Sequence, residues 1–548
     1  MKSAAVEIVD QHILQDLRTF RTCEAGNFLQ YLFSYTERDL QMDGNETAKQ
    51  ARLDKGTDTL LDAYRILVAD SRAGETSYYH PFCLLANHVL ELTTQSSPKI
   101  TFCRNDTSPI RGEKDNTRCP DVVCVSSDHP TVQDGAWKAC SKSGPSINFE
   151  WMDVLHVFEF KLGALSSKLR GTETLRPPEP GEEEEVEDSS AIPILSTASS
   201  QFSSPMVSDQ ADGEMPKPPT NPKKCRNIDP EGQHSKRQKT IRRDYVKQCC
   251  RYAIDVMSKV ENRTHFISAL VAGANVWICY YDRSGTVYSK SINLNTDDGF
   301  YQLILLVMGL NNLDYASRGF CQRMIKQPAV SDASSASWTI TISNLTFALS
   351  KTLEWKRPYG LLGRGTRVFQ GKLINDVSGK VYAIKTSWPS KKRTSEVDII
   401  ITAKERLRDL LKDLTFRTDN NVGDDLLQRL PSHYWSEDIQ DMGINNRVRK
   451  FMRNSDYEVR IHRVIVFDML YPIYELTDVR QFMQAYRDIF QGAFSDHHLI
   501  LYKTDDITKC ITSYGPKVCT TAISVLGTSC TARTRMGSSS VGSSMTGI

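Results

Sequence analysis

Hydrophobic positions recur along this chain with two different periods, and one long stretch carries neither. Over residues 58–68 (DTLLDAYRILV) and 81–92 (PFCLLANHVLEL), apolar residues fall at i, i+3, i+4 and i+7. That spacing predicts two amphipathic helices, each with one face for a core. Residues 1–50 carry the same period without a chemical signature. Phe28, Leu29, Tyr31, Leu32 and Phe33 form an apolar patch there, so a bracing helix or two is expected. The segments 119–125 and 151–161 are rich in β-branched and aromatic residues, are bounded by turn formers, and read as strands. A helix over 241–260, strands over 265–272 and 275–281, the turn Asp282-Arg283-Ser284-Gly285 and a helix over 299–310 follow. Beyond Trp338 the alternation returns, ending in a strand over 461–466 and a helix over 479–494.

Between these parts the composition changes. Residues 165–238 hold Pro177, Pro178 and Pro180, the acidic run Glu182 to Glu185, serine clusters and few aromatics. Such a stretch buries too little apolar surface to offset chain entropy, and disorder is expected. It closes on a basic block, Lys223-Lys224 and then Lys236 through Arg243. The spacing fits a two-part nuclear import signal, and a solvated basic flank fits it equally.

At 548 residues the chain has room for two to four domains. A net charge of +2 gives no global bias toward nucleic acid or membrane. Fourteen cysteines without a C-x-x-C signal neither a zinc ribbon nor a disulfide scaffold, and reduced thiols are expected. The first twenty residues lack the pattern of a secretory leader, and the apolar run near 303–310 is too short to span a bilayer. A nuclear or cytoplasmic protein with no membrane partner is expected.

Candidate chemistry concentrates in residues 359–401. Gly363 and Gly365 stand at a strand-to-strand turn, where the lack of a Cβ lets backbone amides approach phosphates. An alternating segment then ends in Tyr382-Ala383-Ile384-Lys385, and Glu396 opens a helix. A lysine there can neutralise phosphates and the glutamate can hold it.

A second set is ordered along the first part: Pro120-Asp121, Glu159-Phe160-Lys161, then Gln248 and Tyr252 four apart on a helix. Two carboxylates on neighbouring strands can hold a hard divalent ion, and a lysine two residues along the same strand face can orient water. The order resembles the restriction-endonuclease-like PD-(D/E)xK superfamily. That resemblance implies a metal-dependent nuclease with Asp121, Glu159, Lys161 and Gln248 as catalytic candidates and Asp121 and Glu159 as metal ligands. Only under it would nucleic acid be a partner.

The motifs GRGTRVF, YAIKTSW and RTSEVDII, with WMDVLHVFEFK and YYDRSGTVYSKSI upstream, resemble the fungal-type protein kinase family of mushroom-forming fungi. The resemblance implies ATP-dependent phosphorylation of protein Ser/Thr with magnesium; the protein substrate stays open. Gly363 and Gly365 would form the phosphate loop, Val368 would pack over adenine, Ala383 would touch it, and Lys385 would hold phosphates while paired with Glu396. Val368 stands where a third glycine would fall, and Phe467 to Leu470 would be the hinge. His462-Arg463 is followed by Val464 within a strand pattern, and so is not a catalytic loop.

That loop is expected soon after the helix over 479–494, yet residues 505–548 contain neither His-Arg-Asp nor Asp-Phe-Gly. A one-base shift lets residues 519–530 be recoded as His-His-Arg-Asp-Ile-Ser-Val-Arg-Asn-Ile-Met, and 541–546 as Gly-Val-Ile-Asn-Asp. The tail is therefore expected to be out of frame, through a frameshift, a retained intron or a gene-model error, and the chain inactive. A non-catalytic nucleotide-binding or interaction protein is the further alternative.

The expected fold is α+β. Bracing helices (1–56) precede an α/β restriction-endonuclease-like domain (57–164 and 239–325) interrupted by the disordered insertion (165–238). A protein-kinase-like domain (338–504) and the tail (505–548) complete it.

Overall fold

The computed structural model describes residues 2–17, 20–106, 108–111, 117–133, 149–162, 230–327, 338–355, 360–414, 431–439, 447–448 and 458–469. In the first part the elements run α1 (Lys2–Asp16), β1 (Arg21–Cys23), α2 (Ala25–Phe33), α3 (Glu46–Leu53), α4 (Lys55–Ala69), α5 (Tyr79–Thr93) and β2 (Ile100–Arg104). Then come β3 (Ile110–Arg111), β4 (Thr117–Arg118), β5 (Val122–Ser126), α6 (Pro130–Gln133), β6 (His156–Lys161) and α7 (Pro230–Lys259). The part closes with β7 (His265–Ala272), β8 (Asn275–Asp282), β9 (Thr286–Ser289), β10 (Ile292–Asn293) and α8 (Asp297–Asn312).

These elements have local causes. Asp54 caps α4 by accepting from Thr57 N at 2.8 Å, and Thr296 caps α8 by accepting from Gly299 N at 3.1 Å. The helix α8 is apolar nearly all round, from Leu303 to Leu310, and is buried accordingly. Strand β7 lies mid-sheet with both faces buried, which is why HFISALVA is mostly apolar and does not alternate, with His265 and Ser268 buried among the apolar positions. The first sheet has the order β1-β9-β8-β7-β6-β5-β2, with β10 on β8. Within it β2, β5 and β6 are an antiparallel meander, and α7 carries the chain across to β7, parallel to β6. Phe158 and Phe160 face Phe82 of α5, with ring centroids 5.5 and 5.1 Å away. Glu159, on the opposite face, meets Tyr252 of α7. The sheet is thus covered on both sides.

The second sheet is built from β11 (Met324–Lys326), β12 (Trp338–Ile342), β13 (Leu345–Trp355), β14 (Arg367–Leu373), β15 (Val381–Ser387), β16 (His433–Ile439) and β17 (His462–Asp468). The helix α9 (Glu396–Leu414) sits between β15 and β16 in sequence. All pairings are antiparallel, in the order β11-β12-β13-β14-β15-β17-β16. Period-two alternation divides the side chains between its faces. Ile340, Phe347, Phe369, Tyr382, Ile384, Val464 and Val466 pack on one. Ala383, Ile465 and Phe467 pack on the other with Val397 of α9.

The described fold is mixed α+β. The helices expected over 58–68 and 81–92 are α4 and α5, and the strands expected over 265–272 and 275–281 are β7 and β8. One expectation is corrected: residues 230–238, assigned to a disordered insertion, are the first turns of α7. Pro230 opens that helix, a position where its missing N–H costs nothing, and Lys, Arg and Gln then favour propagation. The rest of the insertion, the helix over 479–494 and the tail over 505–548 lie outside the described residues. Among the described residues no helix is long and apolar enough to cross a membrane.

Candidate functional site

Lys385 lies in β15, at the middle of the second sheet, opposite Val368 of β14 and Ile465 of β17. Its Nζ donates to Glu396 Oε2 at 2.6 Å, and both side chains are half-buried. Only ten residues separate the two. The short connection is held by a backbone bridge between Ser390 and Arg460, and Ser395 Oγ accepts from Val397 N at 3.2 Å as α9 begins. Glu396 thus stands in the first turn of a helix, where the peptide dipoles favour a carboxylate. Ala383 shares the face of Lys385. Val368, Phe467, Leu353 and Met469 complete an apolar wall around it. Leu353 was not singled out from the sequence, and Met469 only as part of the expected hinge; the strand pairing puts both at this wall.

Gly363 and Gly365 lie between β13 and β14 with φ of +131° and +48°, which side-chain-bearing residues rarely adopt. A Cβ on Gly363 would meet nothing within 4 Å, whereas one on Gly365 would stand 3.0 Å from Arg283 Nε. The sequence identified Arg283 only as part of a turn and of a motif. At the far end, Asp468 accepts from Tyr434 Oη at 2.7 Å and from Lys380 Nζ at 3.1 Å, which ties β15, β16 and β17 together where a hinge was expected. His462 and Arg463 lie in β17, as expected of strand residues. His462 stacks on Trp388 at 4.6 Å, and Arg463 Nε donates to Asp438 Oδ1 at 2.6 Å.

The second constellation also converges. Asp121, just before β5, accepts from Phe160 N through Oδ2 at 2.7 Å. Glu159 is wholly buried; its Oε1 accepts from Lys161 Nζ at 2.5 Å and its Oε2 from Tyr252 Oη at 3.0 Å. Gln248 Nε2 donates to Tyr252 Oη at 2.9 Å. Two residues unnoticed in the sequence join them: Glu75, 3.8 Å from Lys161 Nζ, and Tyr79, whose Oη donates to Glu75 at 3.0 Å. Their spacing of four was a signal, though nothing tied it to the distant strands.

Burial, with the Asp121 carboxyl beside it, pushes Glu159 up to about 8 against the pull of Lys161. Burial also raises Asp121 to about 6, offset by the Phe160 amide and Lys161. Lys161 pays for burial too, but Glu159, Glu75 and Asp121 outweigh that and keep it a cation. The site can hold a proton between two carboxyls beside a fixed ammonium. Both Glu159 oxygens and Asp121 Oδ2 accept hydrogen bonds from internal donors. Among the described residues no group of three or more His, Cys, Asp or Glu is arranged to hold an ion.

A family model described as fungal protein kinase matches residues 206–507. No curated protein and no solved structure matches the chain.

Proposed function

The chain belongs to the fungal protein kinase family, and from that premise we propose that its second sheet binds ATP as the front half of a phosphotransfer site. The observation that carries this is the 2.6 Å ion pair between Lys385 and Glu396, on the same sheet face as the apolar wall of Val368, Ala383 and Phe467. Adenine would lie against that wall, and Lys385, held extended by Glu396, would meet the phosphates. The loop that carries Gly363 and Gly365 would supply backbone amides to the same phosphates. Magnesium, when bound with the nucleotide, would neutralise phosphate charge. Among the described residues no group of three or more His, Cys, Asp or Glu is arranged to hold it.

The family reaction is transfer to a protein Ser/Thr hydroxyl. That needs a base aspartate in a His-Arg-Asp loop and a metal-holding Asp-Phe-Gly, and residues 505–548 contain neither motif. We propose that the chain as written binds nucleotide without turnover. The family match ends at residue 507, close to where the reading frame was expected to depart, which supports this. ATP at a hundred times its Kd should raise unfolding stability by about 2.7 kcal/mol. That gain should vanish in Lys385→Ala, and phosphotransfer should not exceed the Lys385→Ala control. An unchanged gain in Lys385→Ala, or autophosphorylation that depends on Lys385, would refute the reading.

A second reading, a PD-(D/E)xK-like nuclease, is favoured by one observation. The meander β2-β5-β6, the crossover α7 and parallel β7 bring Asp121, Glu159, Lys161 and Gln248 to one place. Activity would require the Glu159 and Asp121 oxygens to exchange their internal donors for a divalent ion. Magnesium- or manganese-dependent DNA cleavage that is lost in Glu159→Ala would support it. Absence of cleavage by the folded chain would leave the cluster as a buried polar network.

A further inference from the structure

The loop that carries Gly363 and Gly365 belongs to the second sheet but is seated on the first core. Leu361 has no exposed surface and packs in the same cluster as Ile13 and Leu17. Asp16, the last residue of α1, accepts from Leu361 N at 2.6 Å and from Leu362 N at 3.2 Å, both through Oδ2. Arg283, buried in the turn between β8 and β9, donates through Nη1 to Leu361 O at 3.3 Å. The Arg283 carbonyl in turn accepts from Gly363 N at 3.4 Å. Three consecutive loop amides are therefore engaged by the first part of the chain. Two of them converge on one carboxylate oxygen, the way successive backbone N–H groups cradle a phosphate.

The glycines have the same explanation. A Cβ on Gly360 would stand 2.4 Å from Asp16 Oδ2, and one on Gly365 3.0 Å from Arg283 Nε, while Gly363 faces open space. A side chain at Gly360 or Gly365 would therefore crowd the seat, at Gly360 against the Asp16 carboxylate itself. The Asp16 anion is held at some cost: burial raises its pKa to about 6, against the two amides, His12 and Arg283. An anion held at a cost can be displaced by a better one.

We propose that Asp16 and Arg283 form an internal latch on the glycine loop. In it the Asp16 carboxylate occupies the Leu361 and Leu362 amides in place of a nucleotide phosphate, so that the first part of the chain restrains nucleotide binding by the second. This rests on the nucleotide reading above. Nucleotide binding exchanges one anion for another on these amides, and α1 releases the loop as it proceeds.

The test is calorimetric titration of ATP, with and without magnesium, into the full chain and its Asp16→Asn, Gly360→Ala and Lys385→Ala variants. Asp16→Asn keeps the shape of the side chain and removes its charge; Gly360→Ala pushes the carboxylate off the amides from the other side. Each should bind ATP about 5- to 10-fold more tightly than the unaltered chain, the lower end of ordinary coupling between sites. General damage to the fold would weaken binding, so a gain in affinity is specific to the latch. Equal or weaker binding by folded Asp16→Asn, with ATP still bound by the unaltered chain and lost in Lys385→Ala, overturns the latch and leaves the nucleotide reading standing. If no folded variant binds ATP, Asp16→Asn included, the nucleotide reading fails and the latch with it.

Discussion

Glu159 illustrates how a single side chain can make stability depend on pH. Its carboxyl is raised from 4.5 to about 8, so the native state keeps a proton that the unfolded chain releases above pH 4.5. The associated stability is fully present below the unfolded pKa and is lost as pH rises through the folded one. His462 works in the opposite direction. Burial pushes it down to about 4, so its contribution is present above pH 6.5 and is lost as pH falls. Between pH 6.5 and 8 the carboxyl acts with little opposition from that imidazole. Urea unfolding of the unaltered chain should show a loss on the order of 1–2 kcal/mol across that window. Glu159→Gln should flatten the slope, and parallel slopes for the two proteins would rule out the shared-proton arrangement. Lys385 and Glu396 were legible at this scale because lysine and glutamate at those positions have a shared electrostatic purpose. Asp16 was not: it sits 345 residues from Leu361, in a helix with no chemical signature.

At the level of elements, legibility followed periodicity. The helices α4 and α5 carry a clear 3.6-residue period, and β8 a run of aromatic and β-branched residues closed by Asp282-Arg283-Ser284-Gly285, so both kinds were found near their observed ends. Strand β2, with the sequence ITFCR, is short and buried on both faces. It has no alternation to announce it, and its role as the first strand of the meander appears only through pairing with β5. The start of α7 was misplaced because composition dominated the reading of residues up to 238, while Pro230 and the basic residues after it suit a helix. The i, i+4 spacing of Gln248 and Tyr252 was readable as one helix face. That the face lies over Glu159 was fixed by the crossover from β6 to β7, a tertiary fact beyond any local pattern.

For the whole molecule, the two sheets meet at one helix end. The last carbonyls of an α-helix lack intrahelical donors and attract cations. At α7 they are met by two buried arginines from different parts of the chain. Arg283 Nη2 donates to Met257 O at 2.9 Å, and Arg367 Nη2 donates to Met257 O at 3.1 Å and Ser258 O at 2.5 Å. Arg460 adds to the seam, its backbone N donating to Ser284 Oγ at 3.1 Å. Removing the Arg367 guanidinium leaves carbonyls buried without it, so Arg367→Ala should cost about 2–4 kcal/mol. The unfolding transition should also split into two steps, one per sheet. Calorimetry that gave one undiminished transition would show that the sheets do not depend on this joint.

The joint bears on how the protein could be cut or recombined. Met324–Lys326 already belongs to the second sheet, Leu361 is a residue of the first core, and the guanidinium of Arg367 finds its acceptors on α7. A gene fragment that began near residue 330 would encode a sheet without its outer strand, with a bare leucine and an arginine lacking carbonyls. Exchange of the kinase-like half of this chain for another would have to carry the last turn of α7 with it.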